Sequence, residues 1–157
     1  MAKTPFDQLD LKILNILANN ARKPFLEISR ECNVSGAAIH QRIQKLTNSG
    51  IIRGFETILN PAMLGFETCA YIGFFLSDPS RVKEIILGLQ NLPEVVECHI
   101  CTGRYDLVAK IYTRNNDHLL DFIQNKLQPL GVGRTETIMS FKEAFRRQIP
   151  IEPQVHN

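Results

Sequence analysis

The segment GAAIHQRIQKLTN (36–48) carries amide, imidazole and cationic side chains but no carboxylate. If it forms a helix that buries Ile39, Ile43 and Leu46, a turn of about 100° per residue directs the polar residues outward. The outward face then consists of Ala37, Gln41, Gln44 and Asn48, flanked by His40, Arg42 and Lys45. Amides can pair with the edge of adenine, and cationic groups suit guanine or phosphate oxygens. This pattern predicts contact with a nucleic acid, and an ordinary solvated helix face is the alternative.

The residues before this helix indicate where it begins and what precedes it. Ser35 is a plausible N-cap, and the small residues Gly36 and Ala37 would let the helix N-terminus approach a phosphate group. An earlier helix is predicted from Asp7, which has a capping-box acid three residues later at Asp10. A short second helix is predicted from Pro24 to the stop at Asn33, about three residues before the third. Two helices joined by such a turn predict a helix-turn-helix.

A change in pattern follows this helical region. Residues 51–59 read as a strand, and the stretch from Asn60-Pro61 to Gly65 reads as a boundary. We therefore expect a first domain over residues 1–60, with a linker strand, and a second domain over residues 66–149. The first 60 residues hold eight Lys and Arg against five Asp and Glu, a mild basic excess that fits DNA without requiring it.

The second domain shows a weak internal repeat of strand, helix and strand. Strands are predicted at 67–76, 95–101, 107–113 and 134–141, with helices after Asp78-Pro79 and from a cap at Asn116. The order βαββαβ predicts a ferredoxin-like α+β domain. Its first strand has large apolar residues on both faces, and exposing each costs about 1.5–3 kcal/mol. Two such sheets pressed together in a dimer would avoid this cost.

The predicted turn at Thr102–Asp106 joins the two halves of this domain. Gly103 permits unusual backbone conformations, and free N–H groups in such a turn can hold a carboxylate. Asp106 could accept an ammonium group, and Tyr105 could form a wall, so the turn suits a small zwitterion. A hairpin turn in which Asp106 caps its own backbone is the alternative.

Other functional classes find little support. The sequence lacks the common nucleotide-binding, hydrolase and metalloprotease motifs, so neither a catalytic nor a metal site is predicted. Cys98 and Cys101 match C-x-x-C, but they fall in a predicted strand without a second ligand pair, and buried structural thiols are expected. No apolar run could span a bilayer and no secretory signal is seen, so we expect a cytoplasmic protein without a membrane partner.

Taken together, these segments resemble the Lrp/AsnC (feast/famine) family of transcriptional regulators, and the resemblance covers nearly the whole chain. The matching stretches are Leu9-Asp10-x-x-Ile13-Leu14-x-x-Leu17, Asn20-Ala21-Arg22, Val34-Ser35, Arg42-Ile43-x-x-Leu46-x-x-x-Gly50-Ile51-Ile52, Leu64-Gly65 and Thr102-Gly103-x-Tyr105-Asp106. The resemblance implies a DNA-binding helix-turn-helix, a linker strand that pairs between subunits, and a ligand-sensing α/β sandwich. It also implies dimers that associate further, often into octamers, with an amino acid or related metabolite bound between sensing domains.

Residue by residue, the resemblance places Ser35 through Asn48 in the major groove and Arg42 on a backbone phosphate. It identifies Gly103, Tyr105 and Asp106 with the effector loop, and it places Thr135 and Thr137 beside that pocket. We expect base contacts from His40, Gln41, Gln44 and Asn48, and phosphate contacts from Arg42, Lys45 and Arg53.

The sequence thus predicts a regulator that binds double-stranded DNA and responds to an amino-acid effector, without a cofactor. A metabolite-sensing module that docks to a partner without sequence-specific DNA binding is one alternative. A thiol-based redox regulator using Cys98 and Cys101 is another.

Overall fold

The computed structural model describes residues 7–152, and it divides the chain into two units. One unit comprises Met1–Ile58 with Arg146–Asn157, and the other comprises Leu59–Phe145. The first unit holds three helices, α1 (Gln8–Asn19), α2 (Phe25–Cys32) and α3 (Gly36–Asn48). The second holds the sheet and the remaining helices.

Side-chain caps begin α1 and α3, and a left-handed residue ends α2. The Asp7 carboxylate accepts from Asp10 N at 2.9 Å, and the Asp10 carboxylate accepts from Asp7 N at 3.0 Å, which completes a capping box. Asn33 ends α2 in the left-handed conformation, with φ at 54°. Ser35 Oγ then accepts from Ala38 N at 3.1 Å and caps α3. The predicted helix-turn-helix is therefore confirmed.

The three helices enclose a small apolar core. Its buried members are Ile13, Leu17, Ile28, Ile39 and Ile43. Each such side chain stabilises the unit by about 1.5–3 kcal/mol through burial. The core thus holds α3 by one face only and leaves its opposite face to the solvent.

The segment that follows α3 differs from its prediction. Residues 51–59 were expected to form a strand, but in the described chain they have no regular secondary structure. A strand is defined by hydrogen bonds to a neighbouring strand, and residues 7–152 of a single copy supply none to this segment. The prediction of a strand is wrong for the isolated chain. Phe55, Ile58 and Leu59 are exposed along this segment.

The second unit is built on a four-stranded antiparallel sheet. The strands are β1 (Thr68–Phe75), β2 (Val95–Ile100), β3 (Leu107–Thr113) and β4 (Arg134–Ser140), in the spatial order β2-β3-β1-β4. Helices α4 (Val82–Gln90) and α5 (Asn116–Asp121) complete the βαββαβ order. Ala70, Ile72 and Phe74 of β1 pack with Ile85 of α4 and Phe122 in one core. This confirms the predicted α+β, ferredoxin-like fold.

The second helical region departs from the prediction in detail. The cap is Asn115, whose side chain accepts from His118 N at 2.8 Å, and not Asn116. After α5 the backbone widens into π-helical turns over Phe122–Leu127 and tightens into a 3₁₀ turn over Gln128–Leu130. Gly131, with φ at 68°, ends the helical region where the sequence indicated.

Candidate nucleic-acid interface and effector site

The outward face of α3 is exposed as the helical spacing predicts. Ile39 and Leu46 are fully buried, whereas Ala37, Gln41, Gln44 and Asn48 are all exposed. His40 and Lys45 flank this face and are also exposed, as is Arg53 beyond the helix. A face of amides and cations suits a polyanion, because none of the side chains of α3 itself carries a negative charge.

The N-terminus of α3 is open to solvent. Ser35, Gly36 and Ala37 are exposed, and a Cβ added at Gly36 would meet no atom within 4 Å. The backbone N–H groups of this first turn form a partial positive charge that favours a nearby anion. His40 makes an edge-on ring contact with Phe25 of α2, with the ring centroids 5.8 Å apart, so its orientation is partly fixed.

Arg42 has close partners within its own unit. Its Nη1 lies 2.8 and 2.7 Å from the two carboxylate oxygens of Asp7 and 2.9 Å from Oδ1 of Asp10. The hydrogen bond from Arg42 lowers the pKa of the Asp7 carboxyl, and the bond from Arg42 to Asp7 in turn raises the pKa of the guanidinium. Lys45 Nζ lies 3.9 Å from Oδ2 of Asp10 and stays largely exposed. The structure therefore gives Arg42 a contact that the sequence did not predict.

The predicted effector residues Gly103 and Asp106 belong to the loop between β2 and β3. Gly103 adopts φ of 101°, a conformation that other residues resist. Asp106 Oδ2 accepts from Leu76 N at 2.8 Å, and Asp106 N donates to Phe74 O at 2.9 Å. Asp106 thus caps the end of β1 and not its own backbone, so its carboxylate has a structural role in the fold.

Tyr105 joins a polar cluster that the sequence reasoning missed. Its hydroxyl donates to Glu136 Oε2 at 2.8 Å, while Arg104 and Arg134 donate to Glu136 Oε1 at 2.7 and 2.5 Å. The hydrogen bond from Tyr105 lowers the pKa of Glu136, and the same bond raises the pKa of the tyrosine. Alternation of charge along β4, with Arg134 and Glu136 two positions apart, was the available signal because both residues then share a sheet face.

Thr135 and Thr137 do not join this cluster. Thr135 lies opposite Phe74 and Thr137 lies opposite Ile72, both of which point toward the helices. Glu136 lies opposite Gly73, on the other face. Directly opposed residues share a face, so Thr135 and Thr137 lie on the side of the sheet opposite to the Tyr105 ring, which covers Gly73.

Within the described residues we find no redox site, no metal site and no membrane-spanning helix. Burial raises the pKa of Cys98, which opposes the thiolate that redox chemistry needs, and both Cys98 and Cys101 are free thiols. Within residues 7–152, no three histidine, cysteine or carboxylate side chains gather as a metal site would require. None of the helices there has the length and apolar character needed to cross a membrane.

A helix-turn-helix with an exposed face of amides flanked by cations, followed by a βαββαβ sandwich, is the arrangement of a DNA-binding regulator with a separate sensing domain. The comparisons agree with this class. Residues 69–150 match the Lrp/AsnC ligand binding domain, and residues 6–53 match a winged helix-turn-helix DNA-binding domain. The chain belongs to the Lrp/AsnC family, which consists of transcriptional regulators and not of enzymes.

Individual relatives match nearly the whole length of the chain. It is 40% identical over 147 residues to the HTH-type transcriptional regulator Ptr1 of Methanocaldococcus jannaschii, covering 91% of this chain and 99% of that protein. It is 32% identical to Escherichia coli AsnC, whose structure matches with a TM-score of 0.85 over 92% of this chain and 97% of that chain. A Neisseria meningitidis regulator solved as an L-Met complex shares the fold, with a TM-score of 0.86 at 23% identity, over 92% and 96% of the two chains. The chain is therefore a transcriptional regulator that binds DNA.

Proposed function

We propose that α3 enters the major groove and reads an operator sequence with its outward face. The observation that carries the proposal is the exposure of a carboxylate-free amide face on a helix that is capped and packed along its other side. The proposed base contacts come from His40, Gln41, Gln44 and Asn48, and the proposed phosphate contacts come from Ser35, Gly36, Ala37, Lys45 and Arg53. Such amides favour adenine, and each good pair discriminates by about 1–3 kcal/mol.

The regulator acts as a homodimer that assembles further, with an octamer as the expected form. Its two recognition helices read half-sites about one helical turn, roughly 34 Å, apart. The exposed apolar residues Phe55, Ile58 and Leu59 support pairing of the 51–59 segments between subunits, because burial would remove them from water. Domains over 1–60 and 66–149 carry the two roles, and the cytoplasm, where DNA is accessible, is the proposed location.

The effector is an amino acid or a related small metabolite bound at the effector turn, residues 102–106. The open backbone at Gly103 supports this proposal, and so does the position of Tyr105 and Asp106 beside it. The complex of the Neisseria meningitidis regulator with L-Met adds support from the same fold. Thr135 and Thr137, which lie on the opposite sheet face, would contact such a ligand where it reaches around the edge strand β4.

A gel-shift assay with genomic fragments tests the DNA function. At about 150 mM salt the full chain should retain specific fragments, because base contacts survive when the purely electrostatic part of binding weakens. A sensing module that only docks to a protein partner would retain no fragment selectively. That result would contradict the proposal and favour the alternative.

A thermal-shift screen of the twenty amino acids tests the effector. A ligand at about 100 times its dissociation constant adds roughly 2.7 kcal/mol to the free energy of unfolding. We expect stabilisation by at least one amino acid, and loss of that shift in Asp106→Asn, in which an amide oxygen can still accept from Leu76 N. Stabilisation that persists in Asp106→Asn would remove Asp106 from the site.

A further inference from the structure

The position of Arg42 on α3 predicts a contact with DNA phosphate, but its contacts in the structure are with carboxylates of its own unit. Its guanidinium bridges two carboxylates of α1's first turn, Asp7 outside the helix and Asp10 within it. Asp10 has no exposed surface, whereas the Arg42 side chain is 31% exposed. A buried carboxylate is costly without a paired, hydrogen-bonded cation, so Asp10 requires Arg42.

The carboxylates are themselves held in place. Asp7 and Asp10 accept from each other's backbone N–H groups in the capping box, which fixes both groups on the end of α1. The guanidinium of Arg42 is therefore held against the start of α1, with three distances of 2.7 to 2.9 Å from Nη1 to the oxygens of Asp7 and Asp10. All three contacts come from one nitrogen, Nη1, and its two N–H groups lie in the fixed plane of the guanidinium, so the contacts define the direction of the Arg42 side chain as well as energy.

We infer that Asp7, Asp10 and Arg42 form a positioning cluster that sets the rotation of α3 against α1, and that Arg42 does not bind phosphate. The inference rests on the proposed function of α3. Arg42 adjoins Gln41 in the chain and lies two residues before Gln44, so it flanks the outward face near the middle of its length. A rotation of the helix by about 20° would move its side-chain ends by roughly 2 Å. Such a shift exceeds the range over which hydrogen bonds to base edges form.

The charges of the cluster also indicate that Arg42 does not bind phosphate. One guanidinium faces two carboxylates, so the cluster on its own is a net negative group. Among the described residues, Lys45 supplies the nearest further cation, 3.9 Å from Asp10 and 62% exposed at its side chain. A phosphate approaching Arg42 would meet the carboxylates as well, whereas one approaching Lys45 would meet an exposed ammonium group. Lys45 is therefore the matched control for a phosphate contact.

The variant Asp7→Asn separates the two roles of Arg42. Asparagine caps helices as well as aspartate does, so α1 keeps its N-cap while one partner of Arg42 loses its charge. If Arg42 positions α3, the ratio of affinities for operator and random duplex should fall severalfold, with affinity for random duplex unchanged or raised. If Arg42 binds phosphate, the guanidinium, then paired with the Asp10 carboxylate alone, should strengthen binding to both duplexes alike and leave the ratio unchanged, which would overturn the inference.

Arg42→Gln and Lys45→Gln complete the experiment, with affinities measured in the full chain at several salt concentrations on a duplex selected from a random pool. We expect Arg42→Gln to lower the operator-to-random ratio about tenfold without changing the salt slope, and Lys45→Gln to reduce the slope by about one at a constant ratio. A reduced slope and a constant ratio in Arg42→Gln would overturn the inference. If the unaltered chain does not prefer operator over random duplex, the proposed function itself fails, and this outcome is distinct from the others.

Discussion

The ring of Tyr105 lies so close to Gly73 of β1 that a Cβ added to Gly73 would be 2.5 Å from the ring carbon Cδ1. The same ring makes an edge-on contact with Phe75, with the ring centroids 5.2 Å apart. The tyrosine of the effector turn is therefore seated in a gap that only glycine leaves. The position of the Tyr105 ring, and with it the conformation of the turn, therefore depends on Gly73, about thirty residues earlier in the chain.

Gly73→Ala should displace the Tyr105 ring and destabilise the second unit. Overpacking of this kind costs about 1–3 kcal/mol, measurable as a lower midpoint in urea unfolding. The matched control is the same change in a Tyr105→Ala background, where the overlapping ring is absent. The cost of Gly73→Ala should then decrease by at least about 1 kcal/mol. An equal cost in the two backgrounds would show that the ring does not restrict Gly73.

Variants at Ser35 should separate stability from DNA binding at the N-terminus of α3. Ser35→Ala removes the cap on Ala38 N and should cost about 0.5–2 kcal/mol of unfolding free energy. Ser35→Asp and Ser35→Asn should both keep the cap, but only aspartate places a negative charge where a phosphate is proposed to lie. We expect Ser35→Asp to bind DNA more weakly than Ser35→Asn at equal melting temperature. Equal affinities of these two variants would place the phosphate elsewhere.

Glu94 should make the stability of the second unit dependent on pH. This carboxylate is 6% exposed, and its Oε1 accepts from Lys126 Nζ and from His118 Nε2, the latter at 3.2 Å. Although burial opposes it, the hydrogen bonds from Lys126 and His118 lower the pKa of Glu94 below its ordinary value. A carboxyl group with a lowered pKa in the folded state stabilises the fold above its unfolded-state pKa. This contribution is lost as the pH falls through the folded-state pKa.

Glu94→Gln should therefore destabilise the protein by about 1–3 kcal/mol at pH 7 and by much less near pH 3. Urea unfolding of the variant and the unaltered chain at both pH values measures the difference. The same loss of unfolding free energy at neutral and acidic pH would exclude an ionised, paired Glu94 as the source of the effect.

Ile58→Lys should weaken self-association. Ile58 is 78% exposed in the single chain, and its burial between paired 51–59 segments would contribute about 1.5–3 kcal/mol. Sedimentation velocity should show a shift toward smaller species at micromolar concentration. Gln90→Lys, which adds the same charge at an exposed position of α4, is the control and should leave the distribution unchanged. An unaltered distribution for Ile58→Lys would remove this segment from the interface.

Local signals in the sequence were sufficient for most of the fold. Contacts within a few residues decide the caps at Asp7 and Ser35 and the left-handed stop at Asn33, so the spacing of residue types is enough to predict them. The alternation of apolar residues along the strands is likewise a local pattern. The prediction of a cap at Asn116 is wrong because the side chain of the neighbouring Asn115 can also cap, and the backbone conformation decides between them. The strand expected over 51–59 failed for a different reason, since it requires a partner that one chain does not supply.

The site was less predictable because its contacts join distant parts of the chain. Arg42 pairs with residues 32 and 35 positions earlier, and no periodicity connects them. Glu136 was missed for the same reason, since Tyr105 and Arg104 lie more than thirty residues before it. Thr135 and Thr137 were grouped with the turn through family resemblance, which does not state the face of a strand on which a residue lies.

The central claim is that the outward face of α3 reads DNA sequence, and one comparison of variants tests it most directly. The triple variant Gln41→Ala/Gln44→Ala/Asn48→Ala removes the amides while keeping good helix formers, and Gln90→Ala removes an exposed amide from α4. Affinities for a selected operator and for random duplex are measured by fluorescence anisotropy at about 150 mM salt. The account predicts that the triple variant loses most of its preference for the operator while Gln90→Ala keeps it. A triple variant that distinguishes operator from random duplex as well as the unaltered chain would contradict the account.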